Sequence, residues 1–425
     1  MRGVINSLRS GDWLTRERMR LVAFAVLFAS LVGLVAIVAR SDGYLDARGH
    51  PIGTDFANVY AAGTYVLEGR SEAPFDPASH HARQREIFGA NTPFYGWHYP
   101  PFFLFIAAAL ALLPYGLALA AWLTTTFLLY LFSIRAILRL HETPPNTATN
   151  ETTIDPLWLL FAAAFPAVLV NAGHGQNGFL TAALIGGALV MLDRRPAIAG
   201  IMFGLLSYKP QFGLMIPLVL IATQRWRAFG FAAVTVAALA AVSTVAFGPN
   251  VWSAFLASTE FSRVIVLEAG DTGWHKIQSV FSWVRMWGGP VAVAYAVHAA
   301  VVVVLGVMLV RLWRSDRPYP LKAGALIIAS VLSTPYALDY DMMALAPAIA
   351  FLAVAGLQRG FSAWQKTALA ALWLVPIVAR SVAEYALLPI GVWAMIAALI
   401  LFVRIAAAEQ PLQLAPQSRT NSRTI

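Results

Sequence analysis

Long apolar stretches separated by short polar links run through most of the chain, from Leu21 to Phe402. About 20 consecutive apolar residues are needed for a helix to cross a bilayer. The pattern therefore predicts an all-α polytopic membrane protein of about twelve spans. The predicted spans are residues 21–39, 115–139, 157–171, 179–192, 196–208, 212–223, 228–247, 291–312, 320–335, 342–357, 367–387 and 389–404.

Several of these segments are shorter than a full crossing requires. Breaks such as Lys209-Pro210 are therefore predicted to be unwound backbone that lines a cavity. The first segment, Leu21–Ala39, is not followed by a small-residue cleavage site, so we interpret it as a transmembrane helix and not as a signal peptide.

The apolar segment Tyr99–Leu113 has two interpretations. If it crosses the membrane, Arg135 and Arg139 face the outside. If it re-enters, they face the cytoplasm like the other arginine clusters. The predicted number of spans is accordingly eleven to thirteen.

Basic residues occupy the short links between spans, which the positive-inside rule places in the cytoplasm. The clusters are Arg2/Arg9/Arg16/Arg18/Arg20, Arg135/Arg139, Arg194/Arg195, Arg225/Arg227, Arg311/Arg314/Arg317, Arg359/Lys366 and Arg404. Both termini are then cytoplasmic. This distribution explains the net charge of +9 without nucleic acid, and the absence of cysteine excludes disulfides and thiol chemistry.

Two links on the outer side are long. Arg40–His98 contains amphipathic stretches at 56–67 and 77–88, which we predict to lie along the membrane surface, and Gly248–Pro290 is aromatic and basic. We predict one integral-membrane domain over residues 1–408 and a disordered cytoplasmic tail over 409–425.

The unusual polar motifs all fall on this outer face, where ionisable groups at membrane depth are functional candidates. Asp55 follows the first span. It can be a general base that takes a proton from an acceptor hydroxyl, or it can cap the helix that follows it. Lys209 has apolar flanks, and it can bind a phosphate together with Gln211 or be a paired or snorkelling lysine.

Three further motifs carry candidate side chains. The segment 173–178, with His174, Gln176 and Asn177, is a tight turn or a polar site, and no second ligand at metal spacing accompanies His174. Asp339 and Asp341 contact sugar hydroxyls or a cation, or are solvated in a loop. In the second outer link, Arg263, Lys276 and Arg285 meet a lipid phosphate or face solvent; Gln278 belongs to the same link.

No Walker motif, dinucleotide-binding glycine pattern or Ser/His/Asp constellation is present. An activated sugar would then have to arrive as a membrane lipid. The rival class is a transporter or lipid flippase, since broken helices with polar residues at membrane depth also bind transported substrates. A receptor or scaffold would not account for a lysine within a span.

The order of the motifs resembles glycosyltransferase family 87 over nearly the whole chain, from about Arg20 to Arg404. The motifs are Gly-Thr-Asp-Phe at 53–56, Phe-Tyr-Gly-Trp-His-Tyr-Pro-Pro-Phe at 94–102, Gly-His-Gly-Gln-Asn-Gly at 173–178, Gly-Leu-Leu-Ser-Tyr-Lys-Pro-Gln at 204–211, Gln-Arg-Trp-Arg at 224–227 and Thr-Pro-Tyr at 334–336.

The resemblance implies a GT-C fold and a bacterial inner-membrane enzyme that transfers a sugar, commonly mannose, from a polyprenyl-phosphate donor. The acceptor would be a lipid or glycan at the periplasmic face. It implies inversion with Asp55 as general base, and no cofactor is expected, with a divalent metal left open. The predicted donor-phosphate residues are Lys209, Gln211, Arg263 and Lys276, and the other predicted substrate contacts are His98, Tyr99, His174, Gln176, Asn177, Gln278, Tyr336, Asp339 and Asp341. Mycobacterial members carry a His-His pair where this chain has Tyr340-Asp341, which leaves the sugar and acceptor open.

Overall fold

The computed structural model describes residues 2–141 and 155–408, and these residues form α-helices joined by short 3-10 and π turns, without strands. The predicted tail at 409–425 lies outside the described residues. The helices are α1 (Arg2–Ser10), α2 (Arg16–Ala39), α3 (Phe56–Leu67), α4 (Pro77–Phe88), α5 (Leu104–Ala111), α6 (Tyr115–Leu138), α7 (Pro156–Ala163), α8 (Pro166–His174), α9 (Gly178–Met191), α10 (Pro196–Leu205), α11 (Met215–Ala222), α12 (Trp226–Phe247), α13 (Asn250–Phe261), α14 (Val280–Met286), α15 (Val291–Trp313), α16 (Tyr319–Leu332), α17 (Leu345–Arg359), α18 (Gln365–Ala386) and α19 (Ile390–Ala408).

The prediction of an all-α polytopic membrane protein is confirmed. Among the described residues, seven helices are long and apolar enough to cross a membrane, or eight if the pair α7 and α8, bent by 44°, forms one span. Five further apolar helices are shorter than a full crossing: Pro101–Ala111, Gly178–Met191, Pro196–Tyr208, Pro210–Ala222 and Tyr319–Leu332. The predicted count of eleven to thirteen is reached only if those other than the re-entrant Pro101–Ala111 also cross. Each of the five begins or ends within a few residues of the polar cavity described below. The cavity occupies part of the distance that a full-length helix would otherwise span.

The segment Tyr99–Leu113 returns to the side from which it starts. At its end, the Tyr60 hydroxyl of the first outer link donates to the Leu113 carbonyl at 3.0 Å. The next helix, α6, starts with Tyr115, whose hydroxyl donates to the Ile52 carbonyl at 2.6 Å. The structure therefore supports the re-entrant interpretation, and α6 carries the chain away from this side.

The arginine clusters lie at the opposite end of the bundle, which we call the arginine end. Helices α6 and α9 run side by side in the same direction, with Phe127 against Phe179 and Ile137 against Gly186. Their carboxyl-terminal links, with Arg139 and Arg194, consequently lie at one end. Other hydrogen bonds tie the links of this end together.

These bonds connect segments far apart in sequence. Trp364, before α18, donates its N–H to the Arg9 carbonyl at 2.7 Å, and the Gln358 amide donates to the Leu140 carbonyl at 2.7 Å. Arg225, before α12, forms an ion pair with Asp193 and lies 5.6 Å from the centre of the Trp313 ring. The link after α17 thus contacts α1. The link after α6 and the end of α17 are joined by one bond, and the links after α9 and α11 meet the end of α15 at Arg225.

Helices α16 and α17 form the centre of the bundle, and most side chains of both are buried. At the end away from the arginine clusters, the first outer link packs its amphipathic helices α3 and α4 over the bundle. Gly63 of α3 lies against the backbone carbonyl of Ala107, so any larger residue there would separate α3 from α5. The outer links therefore close a space above the broken helices.

Candidate active site

One polar cavity of about 590 Å³ lies at the end opposite the arginine clusters, which we call the cavity end. The 206–212 break, the 173–178 turn and the loop before α17 form its floor and sides, and the first and second outer links cover it. Of the predicted site residues, the structure brings together Asp55, His98, Tyr99, His174, Gln176, Lys209, Gln211, Lys276, Tyr336 and Asp341.

Asp55 stands at the start of α3, but its side chain makes no capping hydrogen bond to the helix. The Asp55 Oδ2 instead accepts from the Gln176 amide at 2.8 Å, and the Asp55 N–H donates to the His174 carbonyl at 3.0 Å. The neighbouring Thr54 hydroxyl lies 2.8 Å from His174 Nδ1. The carboxylate is thus oriented into the cavity by the turn after α8, and the capping interpretation does not describe it.

Gln176 connects Asp55 to an aromatic hydroxyl. Its Oε1 accepts from the Tyr99 hydroxyl at 3.1 Å, and this fixes the amide so that its NH₂ group points to Asp55. The adjacent Gly175 has φ +64°, and a Cβ at this position would lie 2.6 Å from Phe56 Cβ. Only glycine permits both this backbone conformation and this approach.

Lys209 forms a buried ion pair with Asp341, with side chains 4% and 2% exposed. The second oxygen of Asp341 accepts from the Leu338 N–H at 3.0 Å, which holds the carboxylate in place. The Lys209 ammonium also lies 5.1 Å from the centre of the Tyr340 ring. The structure excludes the interpretation of Lys209 as a snorkelling lysine. Lys209 is paired with Asp341 and also lines the cavity.

The helix break delivers Lys209 to this position. Two short 3-10 turns, Leu206–Tyr208 and Pro210–Phe212, flank it, and Pro210 cannot continue the preceding helix. The Tyr208 hydroxyl bonds the Thr181 hydroxyl at 2.6 Å and donates to the Asn177 carbonyl at 3.2 Å, so the break is anchored to α9.

Four predicted site residues do not line the cavity. Arg263 is exposed on the second outer link, paired with Glu268 at 2.8 Å. Asn177 and Gln278 are buried beneath the surface, where the Gln278 amide donates to the His275 carbonyl and its side chain packs against Gly391. Asp339 lies behind the cavity wall, 3.4 Å from Arg380.

Several lining residues were not predicted: Asp46, Arg48, His50, Thr54, Asn58, Tyr95, Tyr208, Asp271, Thr272, Tyr340 and Arg380. Arg380 carried a usable signal, because it is an arginine within the predicted span 367–387. Thr54 and Tyr95 also carried one, since they stand in the motifs at 53–56 and 94–102. Asp46, Arg48 and His50 carried none, because they are ordinary turn residues, in which the Asp46 carboxylate accepts from the Arg48 and His50 N–H groups at 2.9 Å.

The lining carries four acidic and four basic side chains, Asp46, Asp55, Asp271 and Asp341 against Arg48, Lys209, Lys276 and Arg380. His98 lies in the wall with its Nδ1 2.6 Å from the Ser262 hydroxyl. Burial lowers the pKa of His98 to about 4, and burial raises the pKa of Tyr336. Both side chains are therefore neutral at pH 7. They supply hydrogen bonds without adding charge.

This arrangement suits the transfer of a group between an anionic leaving group and a hydroxyl. A carboxylate held by an amide can accept a proton, and several cations in the same cavity can stabilise negative charge on the leaving group. In residues 2–141 and 155–408, no group of three His, Asp or Glu side chains is placed to hold a metal ion.

Comparison with known protein families identifies a match. The family model described as glycosyltransferase family 87 matches residues 97–335, more than half of the chain. The matched range includes His98, His174, Lys209 and Lys276, whereas Asp55 and Asp341 lie outside it. Neither the curated proteins nor the solved structures contain a significant match.

Proposed function

Since the chain belongs to glycosyltransferase family 87 and is a membrane glycosyltransferase, we propose that it transfers a hexose from a polyprenyl-phosphate donor to a lipid or glycan acceptor in the polar cavity. Mannose is the first sugar to test. The transfer inverts the anomeric centre, and the cavity faces the periplasm of a bacterial inner membrane. Family membership favours this function over a transporter or flippase.

The proposed donor is supported by the two different surroundings of the helix break at residues 206–212. Tyr208, Lys209 and Gln211 face the polar cavity. Leu206, Ser207 and Pro210 face a separate apolar groove of about 500 Å³ between α10, α11 and α12. A polyprenyl-phosphate sugar needs both environments, since its phosphate and sugar are polar and its chain is hydrocarbon.

The apolar groove opens on a lipid-facing part of the bundle. Its walls are completed by Phe203 and Gly204 of α10, Ile216 and Leu220 of α11 and small residues of α12. Helix α12 is largely exposed along its length, with Val234 and Val242 more than half exposed, as expected for a helix in contact with lipid. A carrier chain can therefore reach the break from the bilayer while its phosphate meets Lys209.

In the proposed reaction, an acceptor hydroxyl attacks the anomeric carbon of the sugar from the side opposite the phosphate. Asp55 accepts the hydroxyl proton, and the bond between the anomeric carbon and the phosphate oxygen breaks. The electron pair of that bond goes to the phosphate. Lys209 lies near this charge, and Gln211 shares its side of the break. Lys276, in the outer link above, contributes a second cation.

The direct test is transfer by purified protein reconstituted in lipid. Radiolabelled polyprenyl-phosphate mannose is supplied with cell-envelope lipids and glycans as acceptors, and the anomeric configuration of the product is determined. We expect labelled product with inverted configuration. Absence of transfer from mannosyl and glucosyl carriers alike would contradict the donor assignment.

Orientation has its own test, because the chain contains no cysteine. Single cysteines replacing Arg48 at the cavity end and Trp226 at the arginine end are treated in intact cells with a maleimide that cannot cross the membrane. We expect labelling at position 48 and none at 226 until the cells are opened. The reverse pattern would place the cavity in the cytoplasm.

A further inference from the structure

We propose that Asp341 is a product-release residue, whose carboxylate competes with the phosphate of the spent carrier for the Lys209 ammonium. This inference rests on the proposed polyprenyl-phosphate donor. It assigns to the pair a role in the step after transfer, when the carrier must leave the cavity.

The burial of the pair is the first observation. Lys209 and Asp341 are 4% and 2% exposed, and both line the polar cavity. A buried charge without a partner is strongly destabilising. When no carrier is bound, Asp341 supplies that partner for Lys209.

The charge of the carrier changes during the reaction. In the donor, the phosphate is a diester with a single negative charge. Breaking the sugar–oxygen bond leaves a monoester whose second pKa is about 6, so its charge at pH 7 is about −1.5 to −2. The cation that assists departure of the phosphate therefore binds the product more strongly than the donor, and such binding would slow release.

Asp341 is held in a position where it can re-form the ion pair with Lys209 after the phosphate leaves. Its Oδ2 accepts the Leu338 N–H at 3.0 Å, and Leu338 belongs to the loop that the second outer link fixes, since the Gln278 N–H donates to the Ala337 carbonyl at 2.6 Å. Only the other oxygen meets Lys209. The carboxylate is thus anchored independently of the lysine, and it remains in place when a phosphate draws the ammonium away.

The same reasoning separates Asp341 from Asp339, two residues earlier. Asp339 lies outside the cavity lining and meets Arg380, whose side chain is 40% exposed. Water can solvate Arg380 when a ligand leaves, so Arg380 does not need the Asp339 carboxylate as a replacement partner. Asp341 alone of the two faces a lysine that water hardly reaches.

The test compares the wild-type protein with Asp341→Asn in lipid nanodiscs. Equilibrium binding of a fluorescent short-chain polyprenyl phosphate, without sugar, is measured first. We expect Asp341→Asn to bind it about ten- to a hundredfold more tightly, the range for gaining a charge-assisted contact free of competition. Equal or weaker binding by the variant would overturn the proposal, and this holds whether or not sugar transfer is observed.

Kinetics gives the second measurement. In Asp341→Asn we expect the first turnover to proceed near the wild-type rate and later turnovers to slow, with added polyprenyl phosphate inhibiting at lower concentration. A first turnover slowed as much as the steady state, with unchanged inhibition, would instead make Asp341 part of the chemical step. A lack of transfer in the wild-type protein would refute the proposed function, while the binding result would still decide the role of Asp341.

Thermal stability and two further variants, Asp341→Glu and Asp193→Asn, separate an effect on binding from an effect on folding. Asp341→Asn is expected to be less thermally stable and to be stabilised by polyprenyl phosphate more than the wild-type protein, because the phosphate replaces the missing partner. If Asp341→Asn does not fold, Asp341→Glu retains the carboxylate and is measured in the same way, with binding close to that of the wild type. The matched control is Asp193→Asn, which removes an ion-paired aspartate at the arginine end and should leave polyprenyl-phosphate affinity unchanged.

Discussion

Each end of the bundle contains an ion pair between a basic side chain and an aspartate, in very different surroundings. At the arginine end, the Arg225 and Asp193 side chains are 27% and 55% exposed. At the cavity end, those of Lys209 and Asp341 are 4% and 2% exposed. Exposed pairs contribute about 0–1 kcal/mol, whereas breaking a buried pair costs about 3–5 kcal/mol. The same chemistry is therefore a surface detail at one end and a structural requirement at the other.

The way in which the helices end also differs between the arginine end and the cavity end. At the arginine end, they finish in short links whose polar groups bond one another near the surface, as the partly exposed Arg225 and Asp193 do. At the cavity end, α9, α10 and α16 stop short and leave polar backbone and side chains around a cavity inside the protein. Polar groups buried in this way need partners, and Asp55, Gln176 and Tyr99 partner one another in a hydrogen-bonded network. We therefore expect small changes to the polar side chains of this cavity to have the largest effects on function.

The largest expected effect follows from Asp55→Asn. The substitution keeps the shape of the side chain and an oxygen that can accept from Gln176, but it removes the group that takes the acceptor proton. Loss of a general base costs about 10²–10⁴ in rate. We therefore expect transfer to fall by that factor while the unfolding temperature changes little, as measured by transfer assay and thermal unfolding in detergent.

Thr54→Val is the matched control for the local structure. It removes the hydroxyl that contacts His174 at 2.8 Å while leaving the carboxylate, and we expect a smaller loss of activity. A folded Asp55→Asn protein with near-wild-type turnover would falsify the base assignment. Attention would then pass to Asp46 and Asp271, the other acids of the lining that have no basic partner among the described residues.

The sequence was sufficient for the helices and for much of the cavity. Apolar runs place the membrane helices, and isolated polar residues such as Lys209 and His174 mark the cavity, because such groups are costly within a membrane. The amphipathic helices α3 and α4 match their predicted bounds, since Asp76 caps α4 through the Ser79 N–H at 2.8 Å and Pro77 starts it.

The sequence could not predict which polar residues would partner each other. Lys209 and Asp341 are separated by more than a hundred residues, and only packing of the 206–212 break against the loop before α17 brings them together. For the same reason, Arg263 resembled Lys276 in the sequence, although the structure turns Arg263 to Glu268 on the surface and Lys276 to the cavity. Pairing over long range depends on the tertiary fold and leaves no local pattern.

The second prediction concerns Lys209→Met. It removes the phosphate contact, and it leaves Asp341 buried without its cation. We expect donor affinity to fall about ten- to a hundredfold and the free energy of unfolding to fall by about 3–5 kcal/mol. Donor binding and denaturant unfolding in mixed micelles measure the two effects separately.

A double variant divides those effects. Lys209→Met with Asp341→Leu removes both charges, so most of the lost stability should return while donor affinity stays low. If the single variant were as stable as the wild type, the pair would be solvated and the contrast between the two ends would be lost. Full recovery of donor affinity in the double variant would contradict phosphate binding by Lys209.

The third prediction concerns pH and the outer link. His80 on α4 is fully buried, and burial lowers its pKa to about 3, with His98 and His81 contributing in the same direction. The unfolded chain binds a proton near pH 6.5, which the folded protein resists until about pH 3, so stability is complete above pH 6.5 and declines below it. Between pH 6.5 and 5, we expect His80 to account for a loss of about 2 kcal/mol.

Thermal unfolding across this pH range tests the expectation. In His80→Gln, the decline should be shallower, and the remainder should come from groups such as His98, whose pKa burial also lowers. His141 is the matched histidine at the arginine end, where its side chain is exposed. His141→Gln should leave the wild-type profile unchanged, and an equal change in the two variants would remove His80 as the cause.

The smallest expected effect is that of Asp193→Asn at the arginine end. Asp193 is 55% exposed, so water can take over the contacts of its carboxylate, and the loss of attraction to Arg225 is screened by solvent and salt. Arg225 also lies over the Trp313 ring, 5.6 Å from the centroid, and this contact does not involve Asp193. We therefore expect a loss of less than about 1 kcal/mol in unfolding free energy, smaller still at high salt, measured beside Lys209→Met under the same conditions. A loss of the size expected for Lys209→Met would mean that the arginine end is as dry as the cavity end, and burial would no longer explain why two similar ion pairs contribute so differently.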